Sequence, residues 1–135
     1  MNHPIKESLA CKTIDQLSRL IAQKEVSPVE VTESVIQRIH RYNGKLNAFI
    51  SVNAEEAMIA ARQAESEIAS GKYRGSLHGI PVALKDIFYF KGETVTIGSK
   101  IHQDFVPGDD ATVVAKLKDA GVIFAGKLNM HEYAW

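Results

Sequence analysis

The sequence lacks several features that would each point to a particular class of protein. It has one cysteine, Cys11, so an internal disulfide is impossible and a reducing compartment is expected. No apolar run approaches the length of a membrane span, and the N-terminal residues lack the apolar core of a signal peptide. Sixteen basic and 16 acidic residues give a formal net charge of zero, without the positive footprint of a dedicated nucleic-acid binder. We therefore expect a cytoplasmic protein with no membrane association and no direct nucleic-acid binding.

Familiar catalytic signatures are also absent from the sequence. No glycine-rich phosphate loop and no Gly-x-Ser-x-Gly elbow occurs. The five histidines are scattered, and His131-Glu132 would need a second histidine at position 135, where Trp135 stands. The sequence thus predicts no metal site and no bound cofactor.

The first half of the chain is predicted to be mainly helical. Two helices begin with capping boxes, Thr13-x-x-Gln16 and Ser27-Pro28-x-Glu30, and the second is expected to end at Asn43-Gly44. A short strand is predicted over 46–52. A third helix should then be capped by Asn53, and its inner face carries Ala57, Ala60, Ala61, Ala64 and Ile68.

The second half is predicted to alternate strands and helices. A strand over 80–87 is followed by a helix that starts at Asp109 or Asp110 and stops at Gly121. The apolar run 122–125 then suits a strand buried on both faces, and a fifth helix is expected from Asn129. Helix, glycine and buried strand form the second half of a βαβ crossover, so the fold class is α/β.

Lys85 is unusual because it stands inside the apolar run of the strand over 80–87. Alternation places Asp86 on the bulky face of this strand and Lys85 on a face of small residues, where other atoms have room to approach its ammonium. From this local pattern alone, a surface lysine that snorkels into solvent is the more common explanation, since lysine is rarely buried without partners.

Six ordered blocks of sequence change that weighting, because together they resemble the N-terminal portion of an amidase signature family enzyme. The blocks run from Leu77 to Glu132 and keep one order and spacing. They are Leu77-His-Gly-Ile-Pro-Val-Ala-Leu-Lys-Asp86, Lys91-Gly92, Gly98-Ser-Lys100, Asp104-Phe-Val-Pro107, Asp110-Ala-Thr-Val-Val114 and Gly126-Lys-x-Asn-Met-x-Glu132. Phe90, where polar residues are common in the family, and Leu128, where threonine is usual, depart from the pattern.

The resemblance implies an amide hydrolase with a Ser–cis-Ser–Lys triad. Lys85 matches the lysine that serves as base, and the substrate would be a small-molecule amide whose carbon–nitrogen bond is not a peptide bond. The family also includes the A subunit of the aspartyl/glutamyl-tRNA amidotransferase, so amidotransferase partner subunits are a possible alternative. Both serines of the triad belong to a block beyond Trp135. We therefore expect this chain alone to be inactive.

The resemblance also implies that residues 1–135 are the N-terminal fragment of one amidase signature α/β/α domain with a mixed central sheet. Residues 1–75 would be a mainly helical lead-in, and residues 76–135 would begin the core sheet with the lysine strand. A rival interpretation is a non-enzymatic truncated product. In it, the strand over 122–125 lacks neighbours and favours self-association through an exposed sheet edge. A weaker alternative is a helical interaction domain in which Lys85 is only a surface charge.

Overall fold

The computed structural model describes residues 9–135. In chain order these residues form helix α1 (Ile14–Ala22), helix α2 (Pro28–Leu46), strand β1 (Phe49–Val52), helix α3 (Ala54–Ala69), strand β2 (Pro81–Lys85), helix α4 (Thr112–Asp119) and strand β3 (Ile123–Leu128). Two short 3-10 turns lie at Lys100–His102 and Glu132–Ala134. The first eight residues of the predicted lead-in lie outside the described range.

The strands form a mixed sheet in the order β1-β3-β2. Strand β3 is parallel to β2 and antiparallel to β1. The α/β class, the mixed sheet and the βαβ crossover from β2 through α4 to β3 are therefore confirmed. The expectation that the strand over 122–125 lacks neighbours is wrong, because β3 is the central strand of the described sheet. The outer edges belong to β1 and β2.

Strand β3 is longer than predicted, and it passes through a tight crossing at Gly126. Both ladders are irregular nearby, between Val82 and Ala83 in β2 and between Phe49 and Ser51 in β1. Gly126 has φ +150°, and a Cβ on it would lie 2.2 Å from the Ser51 carbonyl oxygen. Only glycine allows the two backbones to approach this closely.

The capping boxes predicted for the first two helices are both present. Thr13 and Ser27 accept from the backbone N–H groups of Gln16 and Glu30, whose side chains accept in return.

The second helix passes its predicted stop at Asn43-Gly44 and continues to Leu46. Asn47 then adopts the left-handed conformation, with φ +51°. The Asn43 amide instead accepts from the Phe49 N–H at 2.8 Å and donates to the Phe49 carbonyl at 3.1 Å. This contact fixes the entry into β1, which begins at Phe49, three residues later than predicted.

The third helix starts where it was predicted but without its cap, and the two later helix starts differ from the structure. Asn53 precedes α3 but makes no side-chain cap, because its amide donates to Glu93 at 2.9 Å. Asp110 does not cap α4, which begins at Thr112, because its carboxylate accepts from the Lys91 N–H and the Lys118 ammonium. The helix expected from Asn129 is only the 3-10 turn Glu132–Ala134.

The core lies between the helices and the sheet. One buried cluster joins α1, α2, α3 and the start of β2 and consists of Leu9, Leu17, Ile21, Val31, Ile68 and Ile80. A second joins α2, α3 and β3 and consists of Ile36, Ala57, Ala61 and Ile123. The alanine face predicted for α3 is thus confirmed as a packing face, and Ala60 is only partly buried. The parallel ladder between β2 and β3 places the C-terminal ends of these two strands side by side at one end of the sheet.

Candidate functional site

Lys85 is the last residue of β2, at the C-terminal edge of the sheet. Its side chain is exposed, whereas the next residue, Asp86, is fully buried, as the predicted alternation requires. Pro81 and Ala83, on the same strand face as Lys85, are half-buried. Within residues 9–135 the Lys85 ammonium has no hydrogen-bond or ion-pair partner, so it is available to groups outside this range.

The Asp86 carboxylate is the centre of a buried polar network. One of its oxygens forms an ion pair with the Lys127 ammonium, and both side chains are at most 5% exposed. The other oxygen accepts from the Thr96 hydroxyl and, at 3.0 Å, from the Thr96 N–H. Lys127 also donates to the Thr94 carbonyl at 2.5 Å. A buried carboxylate needs such partners, because desolvation strongly disfavours an uncompensated charge.

The same network ties the end of β2 to the loop that follows it. The Asp86 N–H donates to the Leu128 carbonyl at 3.2 Å, and the Asp86 carbonyl accepts from the Ile97 N–H at 3.0 Å. The Ile97 carbonyl in turn accepts from the Tyr133 N–H at 2.9 Å. Next to this contact, Gly98 has φ +69°, and a Cβ on it would lie 3.0 Å from the Met130 carbonyl oxygen. The segments that follow β2 and β3 therefore pack directly on each other beside Lys85.

A second buried group, His78, fixes the start of β2. Its ring is 1% exposed, its Nδ1 accepts from the Arg74 N–H at 3.2 Å, and its Nε2 lies 3.2 Å from a Glu67 carboxylate oxygen. Burial lowers the pKa of His78 below its ordinary value, with the nearby Arg74 charge acting in the same direction. Hydrogen bonds from Gln63 and Arg74 hold the pKa of Glu67 below its ordinary value. The arrangement fits a neutral imidazole that donates from Nε2 to Glu67.

In the described part of the chain, no cluster of three or more histidine, cysteine, aspartate or glutamate side chains is placed to hold a metal ion. Among the same residues, no helix combines the length and apolar character needed to cross a membrane.

Comparison with known proteins gives this arrangement a family. The sequence model of the family described as Amidase matches residues 30–135, which is more than half of the chain. The chain belongs to the amidase family.

Curated relatives of this amidase chain carry two kinds of name. It is 49% identical over 122 residues to the A subunit of a glutamyl-tRNA(Gln) amidotransferase from Geobacter metallireducens, an alignment that covers 90% of this chain and 25% of the relative. It is 38% identical over 130 residues to a putative amidase AmiD from Mycobacterium bovis, covering 96% of this chain and 27% of the relative. The chain thus spans about a quarter of the length of these relatives.

Solved structures agree with this assignment. The native peptide amidase from Stenotrophomonas maltophilia is 33% identical, with a TM-score of 0.84 over 94% of this chain and 26% of that one. A fatty acid amide hydrolase superposes with a TM-score of 0.91 over 96% of this chain and 23% of that one. At 22% identity it shows the fold alone. The fold of the amidase chain is therefore that of the N-terminal part of these enzymes.

Sequence reasoning singled out Lys85 but gave no role to the buried partners beneath it. Asp86 and Lys127 both belong to the six sequence blocks, and alternation along the predicted strand places Asp86 on the core face. A carboxylate on a core face needs a cation or hydrogen-bond donors close to it, and this requirement is the available signal. The strand predicted over 122–125 stops before Gly126, so the sequence pattern does not indicate that Lys127 is buried, and its burial follows only from the longer β3.

The departure at Phe90 has a local explanation. Its ring meets Phe124 edge-on at 5.1 Å and lies under the Lys118 ammonium, 4.0 Å from the ring centroid. Lys118 also donates to Asp110 at 2.6 Å, and this hydrogen bond holds the pKa of Asp110 below its ordinary value. An aromatic residue at position 90 therefore anchors the loop after β2 to β3 and α4.

Proposed function

We propose that this chain is part of an enzyme that cleaves small-molecule amides at carbon–nitrogen bonds other than peptide bonds, with Lys85 as its general base. The observation that supports this most directly is the position of Lys85 within an amidase-family chain. Its ammonium is exposed at the C-terminal end of a parallel strand and has no partner in residues 9–135. The C-terminal ends of parallel strands are where α/β sheets commonly bind their ligands.

The proposed chemistry is a Ser–cis-Ser–Lys relay. The neutral amine of Lys85 accepts a proton from a bridging serine, which takes one from the nucleophilic serine as that hydroxyl attacks the amide carbonyl. The carbon–nitrogen bond then breaks as the amine leaves with a proton, and water releases the acid from the acyl-enzyme. The two serines would come from outside residues 1–135. Ser99, in the loop that follows β2, is buried, and its hydroxyl accepts from the Ile101 N–H at 3.3 Å.

Two experiments test this proposal. The purified 135-residue chain should release no ammonia from simple amides and form no hydroxamate. Turnover that is abolished by Lys85→Ala would refute the claim that the chain alone is inactive.

In a chimera, this chain replaces the matching quarter of the Geobacter metallireducens relative. In this chimera, Lys85→Ala should lower kcat/KM for amide hydrolysis by several orders of magnitude. Lys72→Ala, which removes an exposed lysine, is the matched control and should retain activity.

A tRNA-dependent amidotransferase is the second candidate, because several relatives at 42–49% identity are named as the A subunit of glutamyl-tRNA(Gln) amidotransferase. In this case the complete protein would work with amidotransferase partner subunits. Co-purification with such subunits and amidation of glutamyl-tRNA would support it. Hydrolysis of free amides by the isolated protein, with no partner retained, would favour the stand-alone amidase.

We further propose which part of the complete enzyme this chain forms. Residues 1–135 would be the N-terminal part of a single domain, with 1–75 as its mainly helical lead-in, which already contributes the edge strand β1, and 76–135 carrying β2 with Lys85 and β3. As a separate chain it would self-associate through the outer edges of β1 and β2. A cytoplasmic location is part of this proposal.

A further inference from the structure

The end of β2 brings two lysines and one buried carboxylate together. Asp86 follows Lys85 in sequence and points to the opposite face of the strand. There it is fully buried against Lys127, which is 4% exposed. Lys127 lies on β3, and the ladder pairs it with Leu84, two residues before Asp86. The carboxylate is therefore matched by a cation from the neighbouring strand, not by the lysine next to it in sequence.

We infer that Lys127 is a positioning residue for the base, since it neutralises Asp86 from the buried face and so leaves Lys85 without a counter-ion. The inference rests on the proposed function for its meaning. A lysine acts as a base only when neutral, and an unmatched carboxylate beside it would favour the charged ammonium. Giving the carboxylate its own fixed cation removes that effect.

The surrounding groups support this division of roles. The Asp86 oxygen that does not contact Lys127 is occupied by the Thr96 hydroxyl and N–H. An open cavity of about 590 Å³ beside Lys127 is also lined by Glu56 and Glu93. Glu93 accepts from the Asn53 amide at 2.9 Å. Within residues 9–135, Asp86 is the carboxylate in ion-pair contact with Lys127.

The network also holds the backbone that carries Lys85. The Asp86 backbone bonds to Leu128 on one side and Ile97 on the other, and Lys127 bonds to the Thr94 carbonyl. The same two side chains therefore set both the charge near Lys85 and the path of the strand end. A purely structural role would account for the second effect but not for the first.

The test is a pH titration of the Lys85 amine in the 135-residue chain. It is monitored by NMR of lysines labelled with ¹³C at Cε, and the Lys85 signal is assigned as the one that is missing in Lys85→Arg. Lys127→Met should move the Lys85 midpoint upward by about a few tenths of a pH unit, the size expected for one unmatched charge on the adjacent residue in a largely aqueous setting. Asp86→Asn leaves Lys127 unmatched and should move it downward by a similar amount. The double variant Asp86→Asn/Lys127→Met should return it close to wild type, and Lys127→Arg should leave it unchanged.

Opposite shifts in the two single variants, cancelled in the double variant, support the inference. Equal midpoints in the folded single and double variants overturn it, as does a shift of the same sign in both single variants. If Lys127→Met does not fold, the Lys85 midpoints of Asp86→Asn and of the double variant are compared. The inference requires a higher midpoint in the double variant, because Lys127→Met removes the unmatched positive charge that is left in Asp86→Asn. The readout needs no catalysis, so it stands apart from the Lys85→Ala activity test. An inactive chimera would count against the proposed function alone.

Discussion

The backbone of Ser51 passes so close to Gly126 that a side chain at position 126 has no room. We predict that Gly126→Ala lowers the free energy of unfolding by about 3 kcal/mol, because the new Cβ meets backbone rather than a movable side chain. Gly44, near the end of α2 with open space around it, is the matched control. Gly44→Ala should raise stability by about 0.5 kcal/mol. Urea denaturation measures both. Equal effects of the two substitutions would contradict the crossing described at Gly126.

His78 makes the stability of the chain depend on pH. Burial lowers its pKa in the folded protein, so below the ordinary value near 6.5 the unfolded chain binds the extra proton first. The free energy of unfolding should therefore fall as the pH drops through about 6.5 and level off below the folded-state pKa. Protonation at Nδ1 would also remove the acceptor of the Arg74 N–H. His78→Gln should abolish this step in urea denaturation between pH 8 and 5. His40→Gln, at an exposed histidine, should leave it in place.

At the scale of single residues, the sequence predicted which side chains share a face but not which partners they find. Alternation along β2 placed Asp86 inside and Lys85 on the other face, and both positions agree with the structure. The Lys127–Asp86 pair joins residues 41 positions apart on different strands. Such a pairing depends on the register of β2 and β3, and the irregularities at Val82/Ala83 shift that register.

At the scale of elements, helix starts with a local capping box were predictable, and those that depend on distant partners were not. Thr13 and Ser27 cap through residues three positions away, so the sequence window contains the whole interaction. Asn53 instead bonds to Glu93, 40 residues away. Asp110 bonds to Lys91 and Lys118, which are 19 and 8 residues away. Both side chains are of a type that caps helices, but in the folded chain they form tertiary hydrogen bonds instead.

The cap of α2 gives a direct test of this distinction. Ser27→Ala should lower the free energy of unfolding by about 1 kcal/mol, because the Glu30 N–H loses its acceptor and the box is broken. Ser66→Ala, on the exposed face of α3, should raise it by a few tenths of a kcal/mol through helix propensity. Thermal or urea unfolding of the two variants checks the sign of each change. Destabilisation of similar size in both would show that the Ser27 cap contributes nothing.

At the scale of the whole molecule, the fold class and family followed from the sequence, whereas the position of the sheet edges did not. The apolar run over 122–125 indicated a buried strand, and only pairing reveals that β3 is central with neighbours on both sides. The edges that are left within residues 9–135 belong to β1, where Ile50 is 45% exposed, and to β2, which begins with Pro81. An edge strand exposes unpaired N–H and C=O groups, and proline at its start removes one donor.

The edge of β1 is therefore the expected site of self-association in the 135-residue chain. Sedimentation velocity over a range of about 5 to 200 μM should show dimers or larger species growing with concentration, since strand edges template pairing. Ile50→Lys places a charge on this edge strand and should shift the chain toward monomer. Ile59→Lys, at a similarly exposed isoleucine on α3, should leave association unchanged and serves as the control. A wild-type chain that stays monomeric at the highest concentration would contradict edge pairing. Equal effects of both substitutions would instead indicate association through general apolar exposure rather than through β1.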